Sequence, residues 1–220
     1  MHLSKRLETC LRYTEGFQRL ADIGTDHAML PIEAVLRGNV VSALAIDNKF
    51  GPFLQARTNV KKYQVENRVK VVLGEGLDKV DAETDVVVIS GLGGDSIATI
   101  LENMKTQNIK RFVLQANNNA YKIRAILPKI GYRLLDELVL ADQNVIYDVL
   151  ILEPGQSEMN ELELEFGPIN LRDKPHHFIQ RLHSEIDHYK RILAQVTSTD
   201  RKELIQHKID TLEAIVDDRK

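Results

Sequence analysis

Five short stretches place acidic, amide or glycine residues directly after runs of Val, Ile, Leu and Ala. They are LADIGTDHAMLP (20–31), ALAIDNK (43–49), VVLGEGLDKV (71–80), ISGLGGDSI (89–97) and LQANNNAY (114–121). The first carries two carboxylates, Asp22 and Asp26, around a single glycine, Gly24, and follows them with His27. A dinucleotide loop needs further glycines and tolerates no carboxylate against the pyrophosphate. Two acids in this position suit a cationic ligand instead, because opposite charges attract strongly where water is partly excluded. Asp47, about 20 residues on, stands where an acidic residue accepts hydrogen bonds from ribose hydroxyls. Glu75 could accept from an adenine amino group, with Gly76 making the turn. A ligand with a nucleoside, an ammonium and a sulfonium satisfies all three acids, and S-adenosylmethionine is the common metabolite that has them. As single residues, each acid could equally be a helix cap or a turn residue.

The fourth stretch contains Gly91, Gly93 and Gly94, a cluster that would let a flat purine lie against backbone near a methyl donor. A phosphate-cradling loop is the alternative, but the lysine of a Walker loop is absent. In the fifth stretch, Asn117 offers an amide suited to a base edge, and Tyr121 could stack on a base. The basic residues Lys110, Arg111, Lys122, Arg124 and Lys129 gather around this stretch and are expected to face RNA.

These residues need a scaffold that brings strand ends together. The apolar runs at 20–23, 40–46, 69–73, 86–89, 112–115 and 149–152 have strand length and are rich in Val and Ile. Helical spacing separates several of them, as in Met29, Ile32, Val35, Leu36 and in Ile97, Ile100, Leu101, Met104. Strand and helix in alternation predict βαβ units and a mostly parallel sheet covered on both faces, with ligands at the carboxyl ends of its strands. Beyond residue 130 the pattern becomes two strands around a polar turn at 142–144, so the sheet is expected to end in an antiparallel pair.

The last fifty residues are of another kind. Leu182, Ile186, Tyr189, Leu193, Val196 and then Ile205, Ile209, Leu212, Val216 follow heptad spacing, which predicts an antiparallel helical hairpin with a coiled-coil seam. Asp200 and Glu203 resemble a capping box opening its second helix. The expected domains are 1–155 for cofactor binding, 156–175 as a linker and 176–220 as the hairpin. Residues 171–220 hold ten Lys and Arg against nine Asp and Glu, in a chain of net charge −3.

With 220 residues, 43% hydrophobic and 28% charged, the chain can bury one good core. It has no apolar run of the ~20 residues needed to span a bilayer, and its first residues lack the apolar core of a signal peptide, so no membrane contact and a cytoplasmic location are expected. A single cysteine, Cys10, leaves no internal disulfide and no cysteine-cluster metal site; no metal is expected. A monomer is the expected state.

Taken in order, LADIGTDHAMLPI, AIDNKFGPF, GEGLDKV, ISGLGGDSI and the LQANN strand resemble the bacterial tRNA (adenine-N1)-methyltransferases that modify adenine 22. The resemblance runs from about Leu3 to Pro154, and the helical hairpin is also similar to that family's. It departs from the usual pattern at Met29, Asp47, Ser90, Leu92 and Ala116. It implies a class I, Rossmann-like methyltransferase fold, S-adenosylmethionine as methyl donor and tRNA as substrate. Carried onto matching positions, it places Asp22, Gly24, Asp26 and His27 at the methionine end, and Asp47 and Asn48 at the ribose. Glu75, Gly76 and Leu77 fall at the adenine, and Ser90, Gly91 and Gly93 at the reaction centre. Adenine N1 has an in-plane lone pair and no proton to lose, so a strong general base is unnecessary and alignment carries much of the catalysis. Asn117, holding the base, and Asp26, placing the donor, are the expected catalytic residues. Two other readings stay open on the residues: an S-adenosylmethionine-binding protein without chemistry, and a methyltransferase with another RNA or a small-molecule acceptor.

Overall fold

Strand β1 (Phe17–Ile23) lies in the interior, third in a seven-stranded sheet of order β3-β2-β1-β4-β5-β7-β6, in a computed structural model that describes residues 3–105 and 109–218. The other strands are β2 (Val40–Asp47), β3 (Val69–Leu73), β4 (Val86–Leu92), β5 (Arg111–Ala116), β6 (Tyr132–Asp142) and β7 (Val145–Pro154). The first five run parallel; β7 is antiparallel to both β5 and β6. The predicted alternation and terminal hairpin are therefore both present. Gln143 and Asn144 turn the hairpin with φ of 49° and 65°, the left-handed pair that a two-residue connection of this kind requires.

Helices α1 (Lys5–Arg12), α2 (Met29–Leu36), α3 (Phe50–Lys62), α4 (Gly94–Glu102) and α5 (Ala120–Ile130) cover the sheet. Alternating side chains enter two separate cores. Leu20, Ala43, Val86, Val88, Val113 and Val149 face one side with residues of α1 and α2, whereas Ala21, Leu44, Val87, Ile89, Leu114 and Leu150 face the other with residues of α4 and α5. Burial on both faces explains why these strands read as continuous apolar runs. It also fixes the direction of the polar residues among them. Asp22 and Gln115 share the parity of Leu20 and Val113, so both point to the α1 and α2 side, at 3% and 0% exposure.

The chain divides into two compact units, Met1–Pro168 and Ile169–Lys220. The segment read as a linker, 156–175, contains α6 (Glu161–Phe166) and α7 (Pro168–Asp173), and α6 opens with a capping box between Asn160 and Glu163. The outermost positions of the expected bounds, 1–2 and 219–220, lie outside the described residues. The first unit closes on a buried ion pair. Arg124 of α5 meets Glu137 of β6 at 3.1 Å, both side chains 1% exposed, and donates to the carbonyls of Leu164 and Glu165 at the end of α6.

In the second unit, α8 (His176–Leu193) and α9 (Thr199–Asp217) form the predicted hairpin. Phe178, Leu182 and Ile186 are buried on one helix, and Ile209, Leu212 and Ile215 on the other. Lys190 and Glu213 bridge the pair at 2.6 Å. The expected capping box at Asp200 is corrected: α9 begins at Thr199 with Ser198 at the cap and no side-chain hydrogen bond there. Asp200 is a first-turn acid that favours the helix dipole instead.

Candidate functional site

The crossover after β1 leads to α2 on one face, and the crossover after β4 leads to α4 on the other. Where neighbouring crossovers diverge, the strand ends leave a crevice. A cavity of about 400 Å³ opens there, lined at one end by Asp22, Gly24, Asp26, His27, Asp47 and Asn48, and at the other by Ser90, Gly91 and Arg6.

The loop after β1 is bent by three left-handed residues: Gly24 at φ 70°, Asp26 at 53° and Ala28 at 55°. Gly24 adopts this region freely, but alanine does not, and Ala28 is fully buried at the start of α2. Backbone held in this way by its surroundings is typical of a binding loop. The Gly24 and Thr25 amides donate to the Ile46 carbonyl at 2.9 and 3.0 Å, which ties the loop to the end of β2. Asp47 then accepts from the Asp26 amide at 3.1 Å and from the Lys49 amide at 2.9 Å, leaving further lone pairs on its carboxylate for a ligand hydroxyl.

Asp22 accepts one hydrogen bond, from the Thr25 hydroxyl at 2.6 Å, and has no cation within ion-pairing distance among the described residues. Burial pushes its carboxyl up to about 7, and the negative Asp47 adds to the rise, against the lowering effect of the Thr25 bond. Such a carboxylate is poised for a positive ligand, whose arrival would restore its charge. A methionine ammonium and sulfonium have that charge, and Asp47 suits a ribose, so the residues present fit S-adenosylmethionine. Glu75, Gly76 and Leu77 continue from β3, next to β2, where the Gly74 amide donates to the Asp47 carbonyl at 3.0 Å. They lie outside the cavity lining itself, with Glu75 exposed and Leu77 packed on the core.

At the other end, three side chains and one backbone turn form a closed set. The Gln115 amide oxygen accepts from Arg6 Nη1 at 2.8 Å and from the Gly91 amide at 2.9 Å. Its nitrogen donates to Asn117 Oδ1 at 3.1 Å, and Asn117 Nδ2 donates to the Gly91 carbonyl at 2.8 Å. Gly91 stands at φ 80°, with Arg6 Nη1 3.5 Å from where a Cβ would be. Neither Arg6 nor Gln115 was a candidate in the sequence. The polar Gln115 closing an apolar strand was the available signal, since a buried amide demands partners.

Several expectations need correction. Gly93 and Gly94 do not face a flat ligand: a Cβ on Gly93 would meet Asn118 Oδ1 at 2.9 Å, and one on Gly94 the Asn119 carbonyl at 2.1 Å. These glycines let the loops after β4 and β5 pack together. Asn117 spends both side-chain groups on Gln115 and Gly91. Arg124 is no RNA contact, because it is buried in its pair with Glu137. Lys110 and Arg111 lie at the amino end of β5 and Lys129 near the end of α5, all at the opposite edge of the sheet from the cavity. Lys110 and Lys129 are paired there with Asp85 and Glu102. Lys122, over the Tyr121 ring at 5.1 Å in the first turn of α5, alone of the five stands near the cavity's end of the sheet. His27 is exposed, 3.3 Å from Asp26.

Sheet order, acidic ends on β1 and β2, and a glycine turn after each of β1 and β4 together define a class I methyltransferase fold. Among the described residues no helix is long and apolar enough to cross a membrane, and no cluster of three His, Cys, Asp or Glu could hold a metal ion. The family model for tRNA (adenine(22)-N(1))-methyltransferase, TrmK, matches residues 20–215, and the chain belongs to that family. The tRNA (adenine(22)-N(1))-methyltransferase of Bacillus subtilis is 34% identical over 221 residues, covering 96% of this chain and 93% of its own. The structure of M. capricolum TrmK with S-adenosyl-homocysteine superposes with a TM-score of 0.89 at 28% identity, over 99% of both chains. Streptococcus pneumoniae Sp1610 in complex with S-adenosyl-L-methionine gives 0.91 at 30% identity, over 98% of this chain and 100% of that one.

Proposed function

We propose that this protein transfers a methyl group from S-adenosylmethionine to N1 of adenine 22 in tRNA. The observation that supports this reading most directly is Asp22, a buried carboxylate without a cation at the floor of a nucleoside-sized cavity. Asp22, Gly24, Asp26 and His27 would hold the methionine end, Asp47 and Asn48 the ribose, and Glu75, Gly76 and Leu77 the adenine. When bound, S-adenosylmethionine supplies an electrophilic methyl on a positively charged sulfur.

The remaining work belongs to the chain. Adenine N1 carries no proton, so no residue need act as a base, and the exposed His27 serves to orient Asp26. Ser90 and Gly91 border the space where the target ring must lie. Methylated at N1, the ring is cationic, and the carboxylates on the opposite wall together with the Gly91 carbonyl favour that charge. N1 lies on the Watson–Crick edge, so the target nucleotide must be unpaired or flipped out. Lys122 and Tyr121 are the residues for the RNA strand beside it. The protein acts in the cytoplasm, as a monomer.

Incubation with labelled S-adenosylmethionine and unmodified bulk bacterial tRNA, followed by nucleoside analysis, should yield 1-methyladenosine. Absence of transfer by a protein that binds the cofactor would defeat the tRNA assignment. Lys122→Ala should reduce the slope of log affinity for tRNA against log salt by about 0.7–0.9, while Lys110→Ala leaves it unchanged.

A further inference from the structure

Helix α3 carries a surface that methyl transfer within the cavity leaves unused. Lys49 and Pro52, at its start, belong to the cavity lining, and Phe50 stands between them in the chain with 64% of its surface exposed. The Phe50 ring stacks on Phe53, with centres 6.1 Å apart and planes 29° from parallel, and the Arg57 guanidinium lies 5.7 Å from the centre of the Phe53 ring. Phe50, Leu54, Arg57 and Lys61 follow at helical spacing and are all exposed, so they form one stripe, while Ala56 and Val60 are the buried positions of the helix. The stripe runs about 17 Å, the length of about five stacked nucleotides. At its far end Leu54, Arg57, Thr58 and Lys61 line a second cavity of about 630 Å³ together with Lys70 of β3; Glu66 is the one acid among its described lining residues. Residues 48–65 hold four cations, Lys49, Arg57, Lys61 and Lys62, and no acid, in a chain of net charge −3. Among the described residues none of the four is in a salt bridge. A merely solvated basic helix has no use for an aromatic ring held open to water, and an apolar docking face has no use for four unpaired cations. A single-stranded polyanion with flat bases uses both, since cations track its backbone and an open ring stacks an unpaired base.

We propose that this face of α3 is a docking surface for single-stranded RNA, on which Phe50, backed by Phe53 and Arg57, stacks one base while Lys61 and Lys70 take phosphate oxygens at the second cavity. Resting on the methyl-transfer reading, the occupant is the unpaired tRNA strand beside the target adenine. The placement is continuous with the cavity. Tyr121 and Lys122 follow β5 on one side of it and α3 follows β2 on the other, so a strand crossing the cavity meets an aromatic ring and a cation on each side.

The test is a set of titrations of the full chain. Wild type, Phe50→Ala, Phe50→Leu, Phe50→Tyr and Lys61→Gln are titrated with unmodified tRNA and with a short fluorescein-labelled oligouridylate at several salt concentrations, and S-adenosylhomocysteine affinity is measured alongside. Phe50→Ala should lower affinity for both RNAs by about tenfold, the loss expected for one base stacked on one ring. Phe50→Leu keeps apolar area without a ring face and should lose as much, whereas Phe50→Tyr should bind like wild type. Lys61→Gln should reduce the slope of log affinity against log salt by about 0.7. Melting temperature and S-adenosylhomocysteine affinity should stay at wild-type values in every variant. Unchanged RNA affinity in Phe50→Ala overturns the proposal, and so does wild-type binding by Phe50→Leu, which would leave no role for the ring face. A parallel loss of S-adenosylhomocysteine affinity would assign the ring pair to the cofactor, and a wild-type dimer that Phe50→Ala dissociates would assign it to a second copy of this chain; either result overturns the proposal too. The oligouridylate has no adenine to methylate, so its binding judges the α3 surface even where transfer to tRNA fails, and the two readings can fall separately.

Discussion

The two ends of the cavity solve the same problem, placing polar groups at the edge of an apolar sheet, in opposite ways. At the ends of β1 and β2 the side chains are carboxylates that stand on backbone: Asp47 accepts two amides, and Asp22 accepts a single hydroxyl. At the ends of β4 and β5 they are amides that bind one another, with Gln115 and Asn117 closing a ring through Gly91. The acidic end is incomplete without a cation, whereas the amide end is complete by itself. Substitutions should therefore act on ligand affinity at the first and on the arrangement of the reacting groups at the second.

The largest expected effect is at Asp22. Asp22→Asn should weaken S-adenosylmethionine binding by about a hundredfold, the loss that follows removal of one buried partner of a charge pair. The same change should raise the melting temperature of the ligand-free protein at pH 8, because it removes a buried charge that no cation offsets. A drop in both quantities would mean that Asp22 supports the fold and would dissolve the contrast. Next is Asn117→Ala, expected to lower kcat with tRNA by about tenfold while S-adenosylmethionine affinity stays within twofold; removing a hydrogen bond to a reacting turn costs about 1–3 kcal/mol. Parallel losses in kcat and cofactor affinity would erase the distinction between the ends.

The pH dependence sharpens it further. With Asp22 pushed up to about 7, cofactor affinity should climb by close to tenfold between pH 6 and pH 8, as the carboxylate ionises. Ligand-free stability should move the other way. An acid whose folded pKa exceeds its unfolded value of 3.8 takes up a proton on folding between the two, so stability is highest at low pH and is lost as pH rises through about 7. Thermal melts of the wild type and Asp22→Asn across this range check both trends. Smallest is Gly93→Ala, where a Cβ meets the movable Asn118 side chain: a change of about twofold in kcat is expected, against a clear loss for Gly91→Ala at its left-handed position.

Legibility in the sequence follows the same division. Acids after apolar runs are visible because a charged residue at a strand end is local, and Asp22, Gly24, Asp26, His27, Asp47 and Asn48 all line one cavity. The terminal hairpin of strands and the heptad seams were equally open to reading, since each is a repeat within a few residues. Arg6 was hidden because its partners, Gln115 and Tyr147, are more than a hundred positions away. Arg124 misled for the converse reason. On a helix beside Lys122 it looks solvent-facing, and only the arrival of Glu137 and the end of α6 makes its burial possible. The glycines after β4 signalled close approach correctly, but what approaches Gly93 and Gly94 is the next loop rather than a ligand.

The Arg124 arrangement decides where this chain can be cut. An excised catalytic half ending near residue 155 would retain every cavity residue, yet it would strip the Leu164 and Glu165 carbonyls from a guanidinium that has no route to water. A Cβ on Gly167 would collide with the Glu137 carboxylate, so the residue that ends α6 closes over that ion pair. A shortened protein that is to fold must run through Pro168, and a fusion partner is better joined after that residue than at the end of the sheet.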